Sequence, residues 1–392
     1  MKSAAAAADL WEQLLERAKS HKWSTFMDPE YDPTADRERS ERAFASAGWS
    51  ETEIRDFHLL HEGRVASAPS TSAGVAPHSE LFLERTKSVV LAGLLKADRE
   101  TAKTAHFAVE PKAGPFLSTV NVPMTDETVI TMGTHFTRYC GLIAKAFLRT
   151  NWKTLGANAT DFQPEFVRLT LRENPDILRY WWQIFTSFAV TGTNVLVPFR
   201  PCSKLETLEM EQVALAMEVF GLAHEVGHHC QRHGRQLLGG AESVSEEFAA
   251  DHFAAAVCER AEQTQEFLKA QRHNSTNPYL WTGAGGILLL GSLEIYRKIK
   301  NKIYAGSSFD THPDFAERAR RIRQQNILEP GAYWTRQEFC NCVENILSCV
   351  LLELEPWMDE WVFEKYRAAL PSDWEAESFR STASFSGQAA AS

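Results

Sequence analysis

Apolar residues recur at helical spacing along most of the chain. Val213, Met217 and Phe220 stripe one face of a segment that runs on into Ala223-His224-Glu225-Val226-Gly227-His228-His229, the 3.6-residue period of a helix with one buried side. A later stripe passes through Phe339, Val343, Ile346, Val350 and Leu354, and Thr335-Arg336-Gln337-Glu338 in front of it reads as its cap. After Leu205 nearly everything predicts helix, with breaks at Gly239-Gly240, Asn274 to Pro278, Gly306 to Pro313 and Pro330-Gly331. Two segments predict strands. Phe116 to Val122 alternates weakly and stops at Pro123, and Asn194 to Phe199 carries Pro198, which restricts it to a sheet edge because proline cannot donate a ladder bond. The first 63 residues are polar and helical, and Ser50-Glu51-Thr52-Glu53 forms a capping box. Small uncharged residues from Ala66 to Gly74 predict a linker over 64–78, and the serine- and alanine-rich stretch 371–392 predicts a disordered tail. The expected organisation is α+β and mostly helical. A helical N-terminal region (1–63) is followed by one larger domain (79–370) with a small β-sheet.

With 392 residues, 44% of them hydrophobic and 11% aromatic, the chain can bury a sizeable core. Its formal charge of −10 repels phosphate backbones and anionic lipid headgroups, so no nucleic-acid partner is expected. The seven cysteines are scattered and form no C-x-x-C pair, which suits a reducing compartment and argues against a disulfide framework or a thiolate metal site. The longest apolar stretch, Tyr279 to Leu293, contains four glycines and is shorter than the roughly 20 residues a membrane helix needs. The alanine run near the start is interrupted by Asp9, Trp11, Glu12 and Glu16, giving an amphipathic helix and no signal-peptide core. A cytoplasmic protein without membrane insertion is the expectation.

The segment that bears chemistry is His224-Glu225-Val226-Gly227-His228, an H-E-x-x-H motif. On a helix the two histidines lie one turn apart on one face, so both imidazoles reach one metal ion. Glu225, about 100° further round the helix, stands beside rather than on the metal, where a general base belongs. The bland alternative is a pair of core histidines, but neutral burial of two imidazoles and a carboxyl group together is costly. A third ligand is on offer in Ser243-Val244-Ser245-Glu246-Glu247-Phe248-Ala249-Ala250-Asp251. Glu247 would complete a His₂Glu zinc site with an open fourth position, the arrangement of catalytic zinc. Asp251, on the same face, would accept a hydrogen bond from a ligand histidine and fix its tautomer. Glu246 is the rival ligand, although capping Ser243 gives it other work. His229 and His233 form a second i,i+4 pair, expected to be partly exposed, and His252 adjoins Asp251.

H-E-x-x-H followed by E-x-x-A-D resembles the gluzincin metallopeptidases, most closely the compact type of the CAAX-prenyl endopeptidases and HtpX-like proteases. In those families a Thr/Ser-His-Pro element and an arginine follow, and here Thr311-His312-Pro313-Asp314-Phe315-Ala316-Glu317-Arg318 stands in the matching order. The resemblance spans roughly residues 195–325. It implies a zincin-like fold, a bound Zn²⁺, a protein or peptide substrate, and an oxyanion-stabilising role for His312 and Arg318. Members of these families commonly surround the site with membrane helices, and this sequence has none. In that respect it is similar to soluble phage-exclusion peptidases of the Lit type. A different class of function also fits: a latent effector or partner-binding protein in which the zinc domain grips a protein and works through the N-terminal region.

Overall fold

The computed structural model describes residues 5–20, 33–46, 48–66, 77–110, 114–156, 163–194, 197, 200, 202–234, 241–264, 276–303, 313–324 and 330–359. Five helices come first: α1 (Ala5–Ser20), α2 (Pro33–Ser46), α3 (Glu51–Ala66), α4 (Pro77–Gly93) and α5 (Lys96–Ala102). Three strands follow, β1 (Ala105–Glu110), β2 (Leu117–Asn121) and β3 (Thr128–Gly133). The rest is helical: α6 (Phe136–Gly156), α7 (Pro164–Glu173), α8 (Pro175–Thr191), α9 (Lys204–Cys230), α10 (Ala241–Glu262), α11 (Pro278–Trp281), α12 (Ala284–Ile303), α13 (Phe315–Arg323) and α14 (Pro330–Asp359). The described residues are therefore mostly helical with one small sheet, as the patterning predicts.

Helix α9 is the axis of the fold. Every residue from Val213 to His224 is buried, and α4, α6, α10, α11, α12 and β2 pack round it. A helix enclosed on all sides is expected to be apolar all round; before the histidines this stretch departs from that at Glu218, which is buried and accepts from the Thr86 hydroxyl at 3.5 Å. Its start is set by a capping box, in which the Ser203 hydroxyl accepts from Glu206 N–H and the Glu206 carboxylate accepts from Ser203 N–H. Near its end it crosses α10 closely. A Cβ at Gly227 would stand 3.1 Å from Cδ1 of Phe253 and 3.3 Å from Cα of Ala250. Small residues at this crossing bring the two helices near enough for their polar side chains to meet.

The sheet has the order β1-β3-β2, with β1 parallel and β2 antiparallel to β3. One face, with Ile130, Met132 and Val109, joins the main core. The opposite face, with Ala108, Val122 and Val129, is covered by Ala7 and Trp11 of α1, whose N-terminal Ala7 N–H donates to Oε2 of Glu127 at 2.7 Å. Strand β2 is an edge, and it lies along α9.

Several local expectations shift. The strand expected over Asn194 to Phe199 lies mostly outside the described residues. At the two that are described, Val197 N–H donates to the carbonyl of Asn194 at 2.9 Å, a turn bond that takes the hydrogen a ladder would use. The edge beside α9 is β2 instead. Helix α14 begins at Pro330, so Thr335 falls inside it; proline suits the first helical turn because its missing N–H has no partner there anyway. Likewise α10 begins at Ala241, ahead of Ser243, and α13 begins at Phe315, two residues after Pro313. The Ser50–Glu53 box is present, with Ser50 N–H donating to Glu53 at 2.9 Å, but α3 runs on to Ala66. The remainder of the expected linker, 67–76, the last residues of the expected domain, 360–370, and the expected tail, 371–392, lie outside the described residues. Among the described residues, no helix is long and apolar enough to cross a membrane.

Candidate metal centre

The last turns of α9 and the first half of α10 meet around three side chains. Nε2 of His224 and Nε2 of His228 face each other at 3.0 Å. Glu247 places Oε2 3.5 Å from Nε2 of His224 and Oε1 3.5 Å from Nε2 of His228. Tetrahedral coordination with bonds of about 2.0–2.2 Å separates ligand atoms by roughly 3.3–3.6 Å. The carboxylate-to-imidazole separations have that size, and the two ring nitrogens, at 3.0 Å, are closer than it. These atoms all lie within 4.8 Å of one another. Oε2 of Glu247 is buried without a hydrogen-bond partner, an acceptor position that a cation satisfies. The group can hold a metal ion. Two imidazoles and a carboxylate suit zinc and several other first-row divalent ions.

Behind His224 stands Asp251, with Oδ1 3.0 Å from Nδ1 of the imidazole, near enough for charge interaction though bent from a straight hydrogen bond. Asp251 is itself gripped by Arg318 of α13, whose Nε donates to Oδ2 at 2.6 Å and whose Nη2 donates to Oδ1 at 2.7 Å. The same Nη2 lies 3.4 Å from Oε2 of Glu247. The bidentate bond is the geometry that guanidinium and carboxylate are shaped for. Arg318 is 4% exposed and gives two donors to Asp251, so it holds the carboxylates of α10 in place. His312 lies outside the described residues.

Burial opposes charge on each of these groups, and their neighbours decide the outcome. For His224, Asp251 and Glu247 outweigh burial and raise its pKa to about 9. For His228, burial and the charge on His224 act together and push the pKa down to about 3. Glu247 stays well below the usual carboxylate range because His224 and Arg318 overcome its burial. Asp251 is lowered as well, with Arg318 the main opponent of burial. At neutral pH the metal-free site therefore holds a proton on Nε2 of His224, where a metal would bind.

Metal binding is accordingly expected to release close to one proton per ion at pH 7, and to tighten as pH rises until about 9, the pKa of His224. Calorimetric titration in buffers of different ionisation enthalpy reads this directly. Release of no proton at pH 7 would contradict the assignment of His224 as the proton carrier.

A second expectation concerns Arg318. Replacing it by methionine takes from Asp251, 1% exposed, and from Glu247 one of their two counter-charges, His224 being the other. The loss is up to about 3–5 kcal/mol by the general cost of breaking a buried ion pair. Urea unfolding of the metal-free protein at neutral pH measures it.

Glu225 lies beside this group and is held from the other side. Thr119 of β2 donates its hydroxyl to Oε2 of Glu225 at 2.6 Å and lies 3.2 Å from the Glu225 carbonyl. Burial raises the Glu225 pKa, outweighing the His224 charge and the Thr119 bond. A carboxyl group shifted toward neutrality is suited to general-base work.

The remaining histidines divide differently from the sequence expectation. His229 is fully buried and ties the end of α9 to the sheet, with Nδ1 2.7 Å from the Thr128 hydroxyl and Nε2 3.1 Å from both the Thr104 hydroxyl and the Thr101 carbonyl. His233 turns back onto His228, with the two Nδ1 atoms 2.9 Å apart. His252 is exposed. Glu246 accepts from Gly234 N–H at 3.1 Å, which removes it as a rival ligand and as a cap for Ser243. The sequence reading pairs His233 with His229, whereas its partner is His228, an i,i+5 relation that crosses the helix end and so escapes helical periodicity. Thr119 is not singled out by the sequence; its place in an alternating strand is its only signal.

Comparison with known protein families, with curated proteins and with solved structures found no match.

Proposed function

We propose that this chain is a zinc-dependent endopeptidase of gluzincin type, with a zincin-like arrangement of active-site helices and edge strand. The single observation that carries the reading is a potential base, Glu225, directly beside a half-buried His₂Glu group and hydrogen-bonded to a sheet edge. His224, His228 and Glu247 would hold the ion. When bound, the ion supplies Lewis-acid polarisation of a carbonyl and lowers the pKa of water toward neutrality. Glu225 accepts a proton from the attacking water and delivers it to the leaving amine as the C–N bond breaks. Asp251 holds the His224 ring, and Arg318 holds Asp251.

The edge of β2 supports a protein or peptide substrate. On the β2–β3 register, the bonds Gly133 N–H to Phe116 carbonyl and Val122 N–H to Glu127 carbonyl fix the alternation. They leave the backbone N–H and C=O of Leu117, Thr119 and Asn121 turned to the free side. An extended substrate adding there pairs with the residue that grips Glu225. A small molecule would make no use of such an edge.

The rival reading, a zinc domain that binds a partner without cutting it, leaves the raised pKa and fixed orientation of Glu225 without purpose. Helix α1 covers the sheet face opposite α9, so α1 does not account for a latent state by blocking the metal group. The test is incubation of zinc-loaded protein with a cell lysate, followed by mapping of new peptide termini. New termini absent from a parallel Glu225→Gln incubation support a peptidase. Identical maps for the two proteins oppose it.

A further inference from the structure

We propose that His233 is a positioning residue of the metal group, fixing the tautomer and ring orientation of His228. The proposal rests on the metal-binding reading above but does not require hydrolysis. It begins with how α9 ends. Arg232 N–H donates to the His229 carbonyl at 3.1 Å, and His233 N–H donates to the His228 carbonyl at 2.9 Å. Together with Arg232 at φ 61°, these bonds make a Schellman motif, the left-handed helix ending usually built on glycine. An arginine in this conformation costs about 1–2 kcal/mol, strain of the kind that surrounding structure must hold in place.

In a Schellman motif the residue after the left-handed position packs back against the residue five before it. That contact is normally apolar. Here it joins two imidazoles, His233 and His228, with ring centroids 5.0 Å apart and planes at 74°. The turn is clamped on both sides through one peptide unit. Asn121 of β2 donates to the His233 carbonyl at 3.0 Å, and Glu246 of α10 accepts from Gly234 N–H at 3.1 Å. The His233 backbone is thus fixed by the sheet and by the helix that carries Glu247.

The chemistry follows from the 2.9 Å approach of the two Nδ1 atoms. One proton lies between them. A His228 ring that offers Nε2 to a metal must carry its own proton on Nδ1, so His228 donates and His233 accepts. His233 is then the Nε2–H tautomer. A ligand imidazole whose other N–H is engaged is both oriented and a stronger donor. The two ligand histidines are therefore supported by different partners, a carboxylate for His224 and a neutral imidazole for His228.

Zinc affinity by competition with a chromophoric chelator tests this in the full chain. His233→Leu, which removes the acceptor, is expected to bind zinc about 10–100-fold more weakly, the usual effect of deleting such a partner. His233→Asn, whose amide oxygen falls near the Nδ1 position, is expected to stay within about threefold of the parent. In the zinc-loaded parent, ¹⁵N-resolved spectra should show His228 protonated on Nδ1 and His233 on Nε2; the reverse assignment overturns the proposal even if the leucine variant fails to fold. Unchanged affinity in His233→Leu, or equal loss in both variants, overturns it too. A parent chain that binds no zinc removes the metal reading itself, whereas a parent that binds zinc beside an unaffected leucine variant removes only the role of His233.

Discussion

Glu225→Gln protein is expected to bind zinc within a few-fold of the parent and to lose peptide hydrolysis by about 10²–10⁴-fold, the range for removal of a general base. The substitution keeps shape and volume, and the glutamine carbonyl oxygen can still accept the Thr119 hydroxyl that stands 2.6 Å from Oε2 of Glu225. What it removes is the capacity to take a proton. Because burial already raises the Glu225 pKa, a neutral amide relieves a desolvation cost, and the thermal midpoint of the metal-free protein should hold or rise. Metal content by mass spectrometry, melting and turnover of a peptide found by terminus mapping separate these effects. Undiminished turnover would remove the proposed mechanism while leaving the metal group in place.

His228→Ala carries the second large effect. It deletes one of three ligands and with it the partner of His233. A structural zinc site gathers about 10–16 kcal/mol from all its ligands at neutral pH. Losing a quarter to a third of a binding energy of that order weakens binding by about 10²–10⁴-fold. The consequence can be read without any substrate. Ligand that binds only the folded state stabilises it by about 4 kcal/mol at 1,000 times its Kd, so zinc should raise the melting temperature of the parent chain. The His228→Ala variant should melt at the same temperature with and without zinc. An equal zinc-induced rise in both proteins would place the ion elsewhere.

Sequence patterning revealed the helices of the site more fully than the surroundings that tune them. The Val213, Met217 and Phe220 stripe located α9, and the i,i+4 spacing of Glu247 and Asp251 put both on the face of α10 that meets it. Both depend on one-helix periodicity, which a single sequence displays. The sheet was half visible. Strand β2 alternates because α9 and α1 cover different faces, whereas β3 is buried along its whole length and shows no period to detect. The edge strand was therefore sought at Asn194 to Phe199, where a proline drew attention.

Relations that cross a break in the chain were hidden. Arg318 meets Asp251 across 67 residues, and only the packing of α13 on α10 makes them partners. Its place in a motif gives no hint of Asp251 and Glu247 as its partners. The S-x-x-E pattern caps helices at Ser50 and Ser203, whereas Ser243 falls inside α10 and Glu246 goes to the turn that carries His233. That turn uses Arg232 where glycine is usual, so no composition signal marked it.

The most direct measurement is anomalous diffraction at the zinc absorption edge from crystals of the zinc-loaded chain. One peak is expected about 2.0–2.2 Å from Nε2 of His224, Nε2 of His228 and a carboxylate oxygen of Glu247. Metal-saturated crystals with no peak there, or with the ion bound away from these three side chains, would contradict the account.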